Sequence, residues 1–138
     1  MLSYIIESNA LIEASKYGHK NIIKSILKND LNINVVDSSK NTALMILIKK
    51  GNIELVDQII KKGADINLKN KDNETALIQV LDLKKENCYE EIAKLLLNCP
   101  EINFEVQSKN GNTAFINAAK NGYLEIINFL LEKKVILV

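Results

Sequence analysis

Apolar residues recur along the chain in a spacing that places them on one side of a helix. They fall at i, i+1, i+4 and i+5, first at Ile22, Ile23, Ile26 and Leu27. The same spacing returns at Leu55, Val56, Ile59 and Ile60, and again at Ile126, Ile127, Leu130 and Leu131. A further copy, Ile92, Ala93, Leu96 and Leu97, arrives four residues late. Each set forms a wide apolar stripe, so the pattern predicts four amphipathic helices.

A short segment that opens with a polar residue precedes each of these predicted helices. The four segments are Asn9-Ala10-Leu11, Thr42-Ala43-Leu44, Thr75-Ala76-Leu77 and Thr113-Ala114-Phe115, at spacings of 33, 33 and 38 residues. Each segment is predicted to begin a shorter helix, because small polar residues are favoured N-caps. The predicted caps are Thr42, Thr75 and Thr113, with Ser8 or Asn9 in the first copy.

Turn residues separate the predicted helices. Gly18, Gly51 and Gly122 follow nine residues after three of the helix starts and would end the shorter helix. Each second helix except the last runs toward an Ile-Asn pair (Ile33-Asn34, Ile66-Asn67 and Ile102-Asn103) and a polar turn at 37–41, 70–74 or 108–112. The unit is therefore helix, turn, helix and projecting loop, and the copies must stack to bury their stripes.

We predict a single all-α domain over residues 1–138, with approximate repeats at 4–36, 37–69, 70–107 and 108–138. The pattern resembles the ankyrin-repeat family from about Ser8 to Val138, and the best copy runs from Asp37 to Lys69. Its matches are Asp37, Thr42, Leu44, Gly51, Glu54, Leu55, Val56 and the run from Gly63 to Asn67. The resemblance implies a solenoid of helix-turn-helix repeats with projecting β-turn or hairpin loops.

The chain departs from the family pattern in its first helices, in one loop and in the third copy. Met45, Ile78 and Ile116 stand where the family has a histidine, so its buried hydrogen-bond network is lost. Lys40 stands where the turn glycine is usual, and we expect a distorted loop there. The third copy inserts about four residues within 82–89. That insertion is either tolerated drift or part of a binding loop.

Composition narrows the functional classes. Of 138 residues, 47% are apolar and 25% are charged, and the net charge is +1. All 18 basic residues are lysine, which argues against a nucleic-acid binder because arginine is the best reader of phosphate and guanine. We expect a cytoplasmic protein, since no apolar run is long enough for a membrane span and the N-terminus has no basic secretory signal.

Catalytic and metal chemistry also find little support. His19 is the one histidine, and it follows Gly18 where the resemblance implies a structural role. Cys88 and Cys99 are the two cysteines, which we expect to be reduced thiols and which are too few for a zinc site. The five glycines are scattered, and the adjacent Glu90 and Glu91 do not make a catalytic pair. We therefore expect no enzyme activity, no cofactor and no metal site.

The family resemblance implies that first-helix ends and loops bind a partner protein on a concave face. The corresponding first-helix ends are Lys16, Tyr17, Lys49, Lys50, Asp82, Leu83, Lys120 and Asn121. The loop tips are Ser38, Ser39, Asn41, Lys71, Asp72, Glu74, Lys109, Asn110 and Asn112. Four of the helix-end residues are lysines, forming a basic row that Asp82 interrupts. The row either docks an acidic protein surface, with Tyr17 as an aromatic anchor, or is an ordinary set of solvated lysines.

Three functions remain open at this stage. The chain is a general protein-binding adaptor or inhibitor, a microbial or viral effector aimed at a host or competitor protein, or a structural repeat segment of a larger protein. The apolar ends, Leu2 to Ile6 and Val135 to Val138, either cover the terminal repeats, continue a longer array or form an interface. We expect a monomer, with end-to-end association as the alternative. The resemblance also places Asn67 where some ankyrin proteins are hydroxylated.

Overall fold

The computed structural model describes the backbone of residues 2–137 and the side chains of residues 9–134, and this part contains eight α-helices. They are α1 (Leu2–Tyr17), α2 (Lys20–Leu27), α3 (Ala43–Lys49), α4 (Ile53–Lys61), α5 (Ala76–Asp82), α6 (Asn87–Leu97), α7 (Ala114–Asn121) and α8 (Leu124–Leu137). The helices form four consecutive pairs, as the apolar pattern predicts.

The four pairs stack into two layers. The first helices α1, α3, α5 and α7 each contact the next, and the second helices α2, α4, α6 and α8 do the same. Each first helix also packs on its own second helix. The all-α repeat solenoid predicted from the sequence is therefore confirmed.

Threonine caps begin three of the first helices. The side-chain oxygens of Thr42, Thr75 and Thr113 accept hydrogen bonds from backbone N–H groups three residues later, at 3.2, 3.3 and 3.2 Å. These three predictions are confirmed. The prediction of Ser8 or Asn9 as a cap is wrong, because α1 already begins at Leu2. No glycine or proline lies between Leu2 and Asn9 to interrupt the helix.

The apolar stripes meet in one continuous core that runs through all four repeats. In the inner repeats the stripe residues Leu55, Ile59, Ile92 and Leu96 are at most 1% exposed. Met45 and Ile78, which replace the family's histidine, are 2% and 1% exposed, whereas the equivalent Ile116 in the last repeat is 46% exposed. Burial of these positions therefore comes from the neighbouring repeat.

The three projecting loops share one turn. Lys40, Asn73 and Gly111 all have positive φ, at 62°, 60° and 82°. The backbone N–H of each donates to the carbonyl three residues earlier, at 3.0, 3.0 and 2.9 Å. The prediction of a distorted loop at Lys40 is wrong, because the Asp37 carboxylate accepts from two loop N–H groups and holds the chain in the left-handed conformation.

Replacing Ile59 with alanine should lower the free energy of unfolding by about 2–5 kcal/mol, because the fully buried side chain would leave a cavity between neighbouring repeats. Urea unfolding followed by circular dichroism measures this loss. The matched control is Ile22→Ala on the outer side of the first repeat, where the side chain is 52% exposed. The control should stay within about 1 kcal/mol of wild type. Equal losses in both variants would contradict the stacked core.

Replacing Lys40 with glycine should raise the free energy of unfolding by about 0.5–1 kcal/mol. A left-handed lysine costs about 1–2 kcal/mol, and the greater backbone entropy that glycine loses on folding offsets about 0.5–1 kcal/mol of the gain. The same urea measurement reads this gain. Ser38→Gly, in the same exposed loop but without positive φ, is the control and should lower stability. A loss of stability in Lys40→Gly would show that the lysine is not strained.

Candidate protein-binding face

The predicted first-helix ends occupy equivalent positions on the four neighbouring first helices. We call this set the inner edge: Lys16, Tyr17, Lys49, Lys50, Asp82, Leu83, Lys120 and Asn121. The eight residues follow one another in space because each first helix packs on the next. The two halves of the inner edge nevertheless differ in what their side chains contact.

Lysine side chains surround a groove in the half formed by the first two repeats. Lys16, Lys49 and Lys50, together with Asn41, Met45 and Ile46, line this inner groove of about 360 Å³. The Lys16 ammonium lies 3.8 Å from carboxylate oxygens of both Glu13 and Asp37. Among residues 9–134, no carboxylate lies within 4.0 Å of the ammonium groups of Lys49 and Lys50. This half therefore presents cations that are not neutralised by their neighbours.

The other half of the inner edge is used in contacts between the third and fourth repeats. The Lys120 ammonium lies 2.7 Å from Asp82 Oδ1. The Asn121 side-chain amide donates to the Leu81 carbonyl at 2.8 Å. The basic row expected from the sequence is therefore limited to repeats one and two, because Asp82 pairs with the fourth lysine as well as interrupting the row.

Tyr17 stands at the open end of the inner edge. Its side chain is 73% exposed, and its ring stacks on that of His19 with centroids 6.2 Å apart. The exposed His19 takes part in the turn through its backbone, since its N–H donates to the Ala14 carbonyl and its carbonyl accepts from Ile23. The histidine side chain makes no capping hydrogen bond to α2.

Backbone hydrogen bonds join each loop to the next. The Lys71 N–H donates to the Ser39 carbonyl at 3.0 Å, and the Lys109 N–H donates to the Asp72 carbonyl at 2.9 Å. Six of the predicted tip residues are exposed: Ser38, Ser39, Lys71, Asp72, Lys109 and Asn110. The other three, Asn41, Glu74 and Asn112, are half-buried and take part in the hydrogen bonds that close the turns.

Two buried amides inside the first-helix layer were missed by the sequence analysis. Gln79 and Asn117 occupy equivalent positions in α5 and α7, where the second repeat has the apolar Ile46. Asn117 donates to the Ile78 carbonyl at 3.1 Å, and Gln79 donates to the Asn41 side chain at 3.3 Å. The signal was a polar residue within an apolar segment, and its role is to bind the preceding repeat.

Asparagines also bridge repeats where second helices lead into the loops. Asn34 Oδ1 accepts from the Asp65 N–H at 2.8 Å. Asn67 accepts from the Asn103 N–H at 2.9 Å and donates to the Glu101 carbonyl at 2.8 Å. The side chain of Asn67, which the resemblance connects with hydroxylation, is thus held by the next repeat.

The irregular third repeat is anchored by two tyrosines. Residues 83–86 connect α5 to α6, and the Tyr123 hydroxyl donates to the Leu83 carbonyl at 3.0 Å. Burial is the main reason that the pKa of Tyr123 rises to about 12. At the other side, the Tyr89 hydroxyl donates to the Lys49 carbonyl at 3.3 Å. The additional residues therefore contribute to packing between repeats two, three and four.

The structure also shows where the residues considered for catalytic or metal chemistry lie. Within the described residues, no three His, Cys, Asp or Glu side chains are grouped so that they could hold a metal ion. Cys88 and Cys99 are free thiols, and burial raises the pKa of Cys99. Glu90 and Glu91 form surface ion pairs with Lys94, at 3.9 and 3.7 Å. None of the described helices combines the length and apolar character that crossing a bilayer requires.

A comparison with protein-family models agrees with this architecture. A model described as ankyrin repeats in three copies matches residues 4–70 and again residues 45–137. The chain belongs to the ankyrin-repeat family. Members of this family generally act as protein–protein interaction modules and are typically non-catalytic. A search of curated proteins finds no match.

Tyr123 should make the ankyrin domain lose stability above pH 10. An unfolded tyrosine ionises near pH 10, whereas the folded side chain keeps its proton to about pH 12, so the unfolded state binds fewer protons in this range. The contribution is fully present below pH 10 and is lost as pH rises toward 12. Urea unfolding between pH 9 and 11 should show a shallower alkaline decline in Tyr123→Phe than in wild type.

Tyr17→Phe is the matched control for this measurement, because its ring is 73% exposed. It should keep the wild-type pH dependence. Near neutral pH, Tyr123→Phe should also lose about 0.5–1.5 kcal/mol, because the Leu83 carbonyl loses its donor. An unchanged alkaline slope in Tyr123→Phe would mean that this hydroxyl is not responsible.

Proposed function

We propose that this ankyrin domain is a non-catalytic module that binds a partner protein through the inner edge of repeats one and two and through the loop tips. We further propose that the partner presents an acidic surface. The observation that carries the proposal is the pair Lys49 and Lys50, which line the inner groove without a carboxylate partner among residues 9–134.

The chemistry of the inner groove favours carboxylates next to apolar atoms. Three lysine ammonium groups surround the groove, and the half-buried Ile46 contributes an apolar lining. An acidic surface would be attracted to these cations during approach, and the fit of charges would fix its orientation. Tyr17, on the adjacent first-helix end, offers the kind of aromatic side chain that often dominates binding energy.

The loop tips suit a binding surface because they are already ordered. Backbone hydrogen bonds connect the loop at Ser39 to that at Lys71, and the loop at Asp72 to that at Lys109. Binding then requires little additional ordering of the backbone, which is a major cost of association. Exposed hydroxyl, ammonium and carboxylate groups at the tips would contribute specificity around the rim.

Two narrower proposals concern the partner and its location. A chain rich in lysine, asparagine and isoleucine and without arginine suits an AT-rich genome, which favours a microbial or viral effector aimed at a host or competitor protein. We propose a cytoplasmic location, either in the cell that makes the protein or in one that receives it. The inner edge would bind the partner in either case.

Changing both Lys49 and Lys50 to glutamate should abolish capture of the partner, because the inner groove would repel an acidic surface. The measurement is affinity capture from native lysate, with wild type and variant compared by quantitative mass spectrometry. Circular dichroism should show unchanged helicity, since both side chains are exposed.

The charge-matched control for this experiment is Lys133→Glu with Lys134→Glu. Both residues are exposed on α8 of the second-helix layer, away from the inner edge of repeats one and two. A protein captured by wild type and by the control, but lost from Lys49→Glu with Lys50→Glu, supports the proposed site. Equal capture by all three proteins would refute it.

A further inference from the structure

A second group of lysines surrounds a groove between the second helices of the first two repeats. This α2–α4 groove has a volume of about 560 Å³ and is lined by Lys24, Leu27, Lys28, Gln58, Lys61 and Lys62. It lies in the second-helix layer, whereas the inner edge belongs to the first-helix layer. Its function is therefore a separate question from that of the inner edge.

The fold provides an internal comparison for this groove. The corresponding α6–α8 groove between the third and fourth repeats has a volume of about 250 Å³. In the register set by the apolar stripes, Lys94 and Leu97 take the places of Lys24 and Leu27. Asn98 and Phe129 then stand where the first groove has Lys28 and Gln58. The additional positive charge is therefore specific to the α2–α4 groove.

An equivalent ion pair crosses both grooves. The Lys24 ammonium lies 2.7 Å from Glu54, and the Lys94 ammonium lies 2.6 Å from Glu125. Hydrogen bonding to these lysines lowers the pKa of both carboxyl groups. Because the ion pair occurs in both grooves, we interpret Lys24 as a structural residue that joins neighbouring repeats.

The remaining lysines of the α2–α4 groove divide into two groups. Lys61 pairs with Asp57 of its own helix at 2.8 Å. For Lys28 and Lys62, no carboxylate within residues 9–134 lies closer than the 4.0 Å limit of an ion pair. Four lysines thus face two carboxylates, Glu54 and Asp57, which leaves the groove with two excess positive charges.

The helix dipole alone does not explain the presence of Lys28 and Lys62 in the groove. Lys28 and Lys62 are the C-cap residues of α2 and α4, where the helix dipole favours a cation. The C-cap of α6 is the neutral Asn98. A second helix of this fold can therefore end with a neutral residue. The occurrence of two lysines at the same groove is then better explained by a ligand than by the helix ends.

We propose that the α2–α4 groove is a second docking site, which binds an acidic segment of a protein. Carboxylates of the segment pair with Lys28 and Lys62, and an apolar side chain between them packs mainly on the lysine methylene stems, because Leu27 is only 4% exposed. The charge of the groove selects the acid, and its apolar lining selects the side chain between the acids.

A peptide fits this groove better than a polyphosphate or a nucleic acid does. The groove lies at the carboxyl ends of α2 and α4, where partial negative charge disfavours every anion and disfavours a dense cluster of phosphates more than separate carboxylates. The lining contains no arginine to form bidentate phosphate contacts. Separate carboxylates on a peptide, by contrast, reach the lysine ammonium groups individually.

The test uses two acetylated peptides, Glu-Glu-Leu-Glu-Glu and Glu-Glu-Ser-Glu-Glu, titrated into the isotope-labelled full chain and followed by NMR. The leucine peptide should shift the amide signals of residues 24–28 and 58–62 in a saturable way. It should bind at least about fivefold more tightly there than the serine peptide, because serine has no apolar side chain to pack on the lysine methylene stems that line the groove. Signals near Lys49 and Lys50 report binding at the inner groove separately.

Two double variants that lose the same charge test whether Lys28 and Lys62 bind the peptide. Lys28→Gln with Lys62→Gln should weaken binding at residues 24–28 and 58–62 about tenfold or more. Lys84→Gln with Lys133→Gln, both exposed elsewhere on the chain, should change it less than about twofold. Circular dichroism confirms that each variant keeps its fold.

Three results would overturn the proposal. The first is the absence of shifts at the α2–α4 groove, whatever happens at the inner groove. The second is equal weakening in both double variants, which would show that net charge alone drives binding. The third is tighter binding of an oligonucleotide or of inorganic triphosphate at the same amides, which would assign the groove to a different class of ligand.

Discussion

The repeat stack depends on one constraint: a helix of seven to nine residues, such as α2, α3, α4 or α5, cannot bury its apolar stripe without a neighbouring pair. In the middle repeats both sides of the stripe are covered, whereas Ile22 and Ile116, on the outer sides of the first and last repeats, stay about half exposed. Stability is thus shared between adjacent repeats. The polar contacts follow the same rule, because asparagines, buried amides and loop N–H groups all bind a neighbouring repeat.

Much of this architecture could be predicted from the sequence because it depends on local, repeated signals. Threonine caps, turn glycines and the apolar spacing each act within one helix or turn. Two predictions were wrong, the cap at Ser8 or Asn9 and the distorted loop at Lys40. In each case a preference of one residue type was applied without regard to the neighbouring residues. Asn9 resembles a cap but lies inside α1, since no helix-breaking glycine or proline precedes it. Lys40 lacks the conformational freedom of glycine, yet Asp37 provides enough hydrogen bonding to hold it at positive φ.

The candidate binding face was harder to predict because charge pairing depends on distances between repeats. The sequence identifies which residues lie at first-helix ends but not that Asp82 reaches Lys120. It likewise does not show that Lys28 and Lys62, which are 34 positions apart, line the same groove. The first half of the chain carries ten lysines and seven acids over residues 1–69, and the second carries eight and ten over residues 70–138. The excess of positive charge therefore lies in repeats one and two.

The hydrogen-bonded series of loops has a consequence for how local disorder spreads. Each loop is bonded only to its neighbours, so fraying of the fourth repeat would release the bond between Lys109 and Asp72 but leave that between Lys71 and Ser39 intact. Lys49 and Lys50 belong to the second repeat, which has a neighbour on each side. The ankyrin array could thus open and close at its far end while the geometry of the inner groove stays unchanged.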